Sequence, residues 1–168
     1  MTLSMYQASV PVLLRGLTAF EAILDKAVAH AEAKKIDPSV FVQARLAPDM
    51  YPLARQVQIA SDGAKGGVSR LAGVDPVRME DNETTFPELK ARLARTRDVL
   101  SGFTPEQIDG SEDRDIVLQA GTNTFNFKGQ GYLTQFMLPN FYFHYSTAYA
   151  ILRHNGVELS KRDFLGAV

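Results

Sequence analysis

Apolar residues recur at three- and four-residue steps in four separate stretches of the chain, and they alternate in one. Tyr6, Val10, Leu13, Leu14, Leu17, Phe20, Leu24 and Val28 form a stripe that predicts a helix over about 5–34. Pro11 falls inside it and either begins the regular part or kinks the first turns. Residues 36–48 read as a connection with a short helical turn at 39–44. Met50, Leu53, Val57, Ala60, Ala64, Val68 and Leu71 predict a second helix over 49–72, with Asp49 as its N-cap. Gly63, Gly66 and Gly67 interrupt it, each at a cost of roughly 1 kcal/mol relative to alanine, and close approach of a neighbouring backbone would account for them.

"TFPE", with Glu88 three residues after Thr85, is a capping box that opens a third helix over 85–101. Phe86, Leu89, Leu93, Thr96 and Leu100 are its apolar face. The period then drops to two. "DIVLQ" and "TFNFK", separated by the turn-prone "AGTN", predict a small hairpin. The fourth helix spans 130–154 and stops at Gly156, with Leu133, Met137, Asn140, His144, Thr147 and Ile151 facing inward. Pro139 lies within it and should disturb the preceding turn, freeing the carbonyl of Gln135. The pattern as a whole predicts an all-α antiparallel four-helix bundle, a single domain over residues 1–168, with a β-hairpin inserted before the last helix.

The strings "SMYQASVPVLLRGL", "RLAPDMYPLARQVQIASD" and "LPNFYFHYSTAYAILRHNGV" together resemble the DinB-like (YfiT-like) four-helix bundles, and more closely one uncharacterised subfamily within them, a domain of unknown function. The resemblance spans essentially the whole chain. It implies the bundle fold and, commonly, a homodimer, but no established reaction. The broader family often holds a divalent metal with three histidines, one on helix two and two at i, i+4 on helix four. Counted back from Gly156, His144 falls on the second helix-four ligand and Asn140 on the first, and Gln58 is the helix-two counterpart. Two of the three positions therefore depart from the family's pattern.

Composition narrows the chemistry. Lys plus Arg number 18 against 19 Asp plus Glu, for a net charge of −1, so no basic footprint for nucleic acid is present. The chain has no cysteine, which excludes disulfides, thiolate metal sites and a cysteine nucleophile. The start of the chain lacks a basic region followed by an unbroken apolar run, and no other stretch is long and apolar enough to span a membrane; a cytoplasmic protein is expected. No "GxSxG", "HExxH" or serine–lysine signature occurs, and "GAKGG" lacks the Walker spacing.

Gln58, Asn140 and His144 offer one imidazole and two weak amide donors, to which Asp62 could add a carboxylate. No bound cofactor is expected; a divalent metal is the less favoured alternative, with His144 the best single ligand. The simplest structural account pairs Asn140 with His144 on one face of the helix, with partners among Tyr132, Gln135 and Gln58. His30, in "HAEAKK", and His154, in the last turn of the fourth helix, read as surface residues.

Two functions of different class follow. One is a non-catalytic or binding module with a polar-lined small-molecule pocket and a degenerate metal site. The other is a metal-dependent transferase or hydrolase of the DinB-like kind acting on a small molecule, with thiol-bearing compounds among the candidates. Self-association enters through Phe141, Tyr142, Phe143, Tyr145 and Tyr149, which surround the fourth helix. A helix aromatic all round is normally buried all round, so a homodimer through or near that helix is expected, unless the hairpin or the tail covers the outer face.

Overall fold

The structure, a computed structural model, describes residues 3–166. Four long helices carry the core: α1 (Met5–Lys34), α3 (Leu53–Ala72), α4 (Phe86–Ser101) and α7 (Leu138–His154). Short elements join them. These are α2 (Pro38–Gln43), α5 (Pro105–Ile108), the strands β1 (Asp115–Ala120) and β2 (Asn123–Lys128), α6 (Gly129–Gly131) and, after α7, α8 (Lys161–Leu165). The chain is an all-α bundle with one two-stranded antiparallel hairpin, as the periodicities predict.

Each boundary has a local cause. Ser4 caps α1 in a reciprocal box with Gln7, and Thr85 caps α4 in the box with Glu88. Pro11 does not start α1, which begins six residues earlier at Met5. Lys35 and Gly73, both left-handed, close α1 and α3. Asp49 is not the cap of α3. It sits in a turn ahead of Pro52, which occupies the N-cap position without a side-chain bond. Pro139 does disturb the last helix. The turn before it, Tyr132–Met137, is π-helical, and the N–H of Leu138 donates to the Leu133 carbonyl five residues back. Pro139 itself has no N–H to give, so the Gln135 carbonyl four residues back has no α-helical donor.

One apolar cluster joins the helices, with Leu13, Leu17 and Phe20 of α1, Val57 and Val68 of α3, Leu89 and Leu93 of α4, and Phe141 and Ile151 of α7 all buried. Of the stripe predicted to face inward, Leu133, Met137, Thr147 and Ile151 are buried, but Asn140 and His144 are not. Phe141, Tyr145, Ala148 and Leu152 point into the core, whereas Asn140 and His144 are half-buried at its flank against α3. In the hairpin, Ile116 pairs with Phe127 and Leu118 with Phe125 on one face. That face packs toward the bundle through Phe127, whose ring lies 5.6 Å from those of both Tyr132 and Phe136.

The candidate site between α3 and α7

The glycines of α3 set the spacing of the two helices. A β-carbon at Gly67 would collide with Met137, and one at Gly63 would lie 3.0 Å from Asn140 Nδ2. Gly66, by contrast, faces Arg70 of its own helix. These two glycines, four positions apart, let α7 approach α3, and seven residues before Gly63 the seam brings Gln56 opposite His144.

Gln56 is buried and its amide is held at both ends. Its Nε2 donates to the Tyr51 carbonyl at 3.0 Å, so its Oε1 faces His144 Nδ1, 2.7 Å away. A carbonyl oxygen can only accept. Nδ1 therefore carries the hydrogen, and the lone pair of Nε2 is free to meet a ligand. Burial lowers the imidazole pKa below its ordinary value, and the Arg55 guanidinium lowers it further, so the ring is neutral at pH 7. Such a ring can accept a hydrogen bond, take a proton or donate to a metal. Phe143 stands edge-on to it at 5.1 Å and is 60 % exposed.

The six residues singled out from the sequence do not form one pocket. Asn140 and His144 share the α3–α7 seam. Tyr132 is buried at the other end of that seam, where its hydroxyl accepts a 3.3 Å bond from Arg70; burial raises its pKa against the opposing pull of that arginine. Gln135 is exposed on the π-helical turn. Gln58 and Asp62 point around α3 to a separate ionic cluster.

That cluster is built on Arg92. Its side chain is wholly buried, and it donates to Asp62 Oδ1 at 2.6 Å, to both oxygens of Glu83 at 2.9 and 3.0 Å, to Ser61 Oγ at 3.1 Å and to the Glu80 carbonyl at 2.9 Å. Asp81 Oδ1 lies 2.9 Å away, and Gln58 Nε2 donates to Glu83 at 3.1 Å. Burial alone would lower the Arg92 pKa, but Asp62 and Glu83 outweigh it and raise it. Lys65 pairs with Asp62 at 2.7 Å, and Arg55 pairs with Asp81. Three of these acceptors come from the connection before α4, so the cluster fastens that connection to the bundle.

Sequence reasoning missed Gln56, Arg55, Arg92 and Glu83. Arg92 was detectable: it lies three residues after Leu89 and four before Thr96, on the apolar face of its helix. Glu83 lies in a connection without periodicity and carries no such signal. His30 also differs from the surface reading, being half-buried and edge-on to Phe41 at 5.8 Å.

A metal centre needs several strong donors at one point. Among the described residues no three His, Asp or Glu side chains converge in that way. His144, Asn140 and Gln56 supply one imidazole and two amides, and Gln56 is already committed at both ends. This donor set does not fit the three-histidine centre that the wider family implies.

The chain is 40% identical to a DinB family member protein from Shewanella denitrificans of known crystal structure, and the two superpose with a TM-score of 0.89 over 97% of this chain and 92% of the other. No curated protein matches it. Residues 5–165 match the family model described as "Domain of unknown function (DUF1993)". The helix order, the inserted hairpin and a match across nearly the whole chain place this protein in the DUF1993 family of DinB-like helical bundles.

Proposed function

We propose that the protein is a metal-independent small-molecule-binding bundle whose recognition site is the α3–α7 seam at His144. The observation that carries this is the double anchoring of the Gln56 amide, which presents a neutral imidazole with an open Nε2 lone pair. Asn140, one turn away on the same helix, adds an amide that both donates and accepts. The pair is suited to a small neutral molecule carrying a donor beside an acceptor, such as a lactam. Phe143, 60 % exposed and edge-on to the imidazole, offers apolar surface beside it.

The test has two arms on protein made without a histidine tag. In the first, elemental analysis is expected to find no stoichiometric zinc or nickel. One metal per chain, lost on His144→Ala, would replace this reading with the metal-dependent transferase or hydrolase. In the second, 2-pyrrolidone is titrated while the His144 ring nitrogens are followed by NMR. The free protein should show the Nδ1–H tautomer, and Nε2 should shift saturably on addition. A ring in the other tautomer, or an unresponsive Nε2, would remove the basis of the proposal.

A further inference from the structure

A second cleft shares no lining residue with the α3–α7 seam at His144. It measures about 550 Å³ and opens where α2 crosses the start of α4. Val28 of α1, Pro38 and Val42 of α2, and Phe86 and Pro87 of α4 form its walls. Its volume falls in the range of roughly 300–1,000 Å³ typical of small-molecule sites.

The rim decides what kind of molecule fits. Asp37 caps α2, with Oδ1 accepting from the Ser39 N–H at 2.9 Å. Lys90 is ion-paired with Asp25. The N–H groups of Thr84 and Thr85 donate to Glu88 Oε2 at 2.8 and 2.9 Å, and Thr85 Oγ1 accepts from the Glu88 N–H at 3.4 Å. An anion entering the cleft would have to displace Glu88 from the helix terminus or Asp25 from Lys90. A cation would compete with Lys90 for Asp25 or meet the second oxygen of the exposed Asp37 at the edge of the cleft, away from the apolar walls. Apart from the second oxygen of the exposed Asp37, the polar rim is engaged within the chain, while half-buried Val28 and exposed Pro38 and Pro87 leave apolar surface open above the buried Val42 and Phe86.

We propose that this α1–α2–α4 cleft binds an uncharged, predominantly apolar small molecule of one or two rings, held by contact with Val28, Pro38 and Pro87. The driving force is removal of those walls and of the ligand from water, and a charge on the ligand works against it.

Indole is the probe, with indole-3-acetate and tryptamine as its anionic and cationic counterparts. Shifts of the Val28 and Val42 methyl groups report binding in the full chain. Indole is expected to shift both saturably, and either charged analogue to bind about tenfold more weakly, as desolvating its charge requires. Val28→Phe fills the cleft from its floor, and Ser39→Trp covers it from the exposed rim without touching the core. Each should weaken indole about tenfold, by loss of the contact surface, with the helical circular dichroism retained. Should Val28→Phe not fold, Ser39→Trp decides alone. His144→Ala should leave indole binding unchanged, which separates this site from the α3–α7 seam. Shifts that do not saturate, a charged analogue binding as well as indole, or undiminished affinity in Ser39→Trp would each overturn the proposal.

Discussion

Arg92 has no exposed surface, so its charge is sustained only by the groups around it. Removing it strands Glu83, whose side chain is 3 % exposed. Arg92→Ala should therefore cost about 3–5 kcal/mol, the usual penalty for breaking a buried pair from one side. Arg92→Met combined with Glu83→Leu should be much closer to the parent, because neither charge is then left alone. Urea unfolding of the three proteins checks this, and a double variant as unstable as Arg92→Ala would contradict it. His144 carries a different expectation. Its folded pKa lies below the ordinary 6.5, so the unfolded chain binds more protons as pH falls through that value. Stability should decline from about pH 6.5 toward the folded pKa, and His144→Ala should lack that part of the slope. At neutral pH the same variant should cost about 1 kcal/mol, the low end for an unmet partner, because the Gln56 pair is only part-buried. At this scale the sequence exposed His144, since a histidine among aromatics on a periodic helix is conspicuous. It could not show Gln56, because which residue of α3 stands opposite depends on how two helices are set against each other.

The helices themselves were legible because burial imposes a period on the chain. The stripe of α1 and the Thr85–Glu88 box need no tertiary knowledge. The glycines of α3 could be flagged as close approaches, but only the packed structure separates Gly63 and Gly67, which face α7, from Gly66, which faces its own helix. Gly67→Ala gains about 1 kcal/mol in helix propensity but forces Met137 aside at about 1–3 kcal/mol, so a net loss near 1 kcal/mol is expected. Thermal unfolding would show it, and a stabilised Gly67→Ala would mean that the seam is looser than its contacts imply. The sequence left open whether the tail or the hairpin covers the last helix, because the tail holds by single contacts rather than by a period. Phe164 of α8 stacks on Tyr145 at 4.3 Å and 11°, the Tyr145 hydroxyl donates to the Phe164 carbonyl at 2.9 Å, and Asp163 pairs with Lys26 at 2.6 Å. The Lys26 bond, with help from the Ser160 N–H, holds the Asp163 pKa down at about 2. A carboxylate so lowered contributes stability above its ordinary range, and that contribution is lost as pH falls from about 4 through about 2. Phe164→Ala should cost about 2 kcal/mol, roughly half the figure for a fully buried ring, and should remove the near-ultraviolet signal of Tyr145.

For the molecule as a whole, the docked tail alters the case for self-association. Aromatic residues surround α7, but the chain itself covers much of that surface. Phe141 and Tyr145 are buried, and the Tyr149 hydroxyl donates to the Leu159 carbonyl at 3.3 Å. What remains outward is Phe143, beside the histidine whose ring Gln56 holds, and Tyr51 is linked to the same place through the Gln56 amide. A two-fold dimer through this end of α7 would bury Phe143 against its own copy, because a symmetric interface brings the same patch together from both sides. Burying one phenylalanine is worth about 1.5–3 kcal/mol, and two equivalent copies double that. Phe143→Asp should then weaken dimerisation by about a hundredfold or more, since 1.4 kcal/mol corresponds to each factor of ten. Light scattering at micromolar concentration should report about twice the chain mass of 18.5 kDa for the parent and a shift toward the single-chain mass for Phe143→Asp. A parent protein with the single-chain mass at that concentration would show instead that the docked tail is cover enough for the aromatic helix.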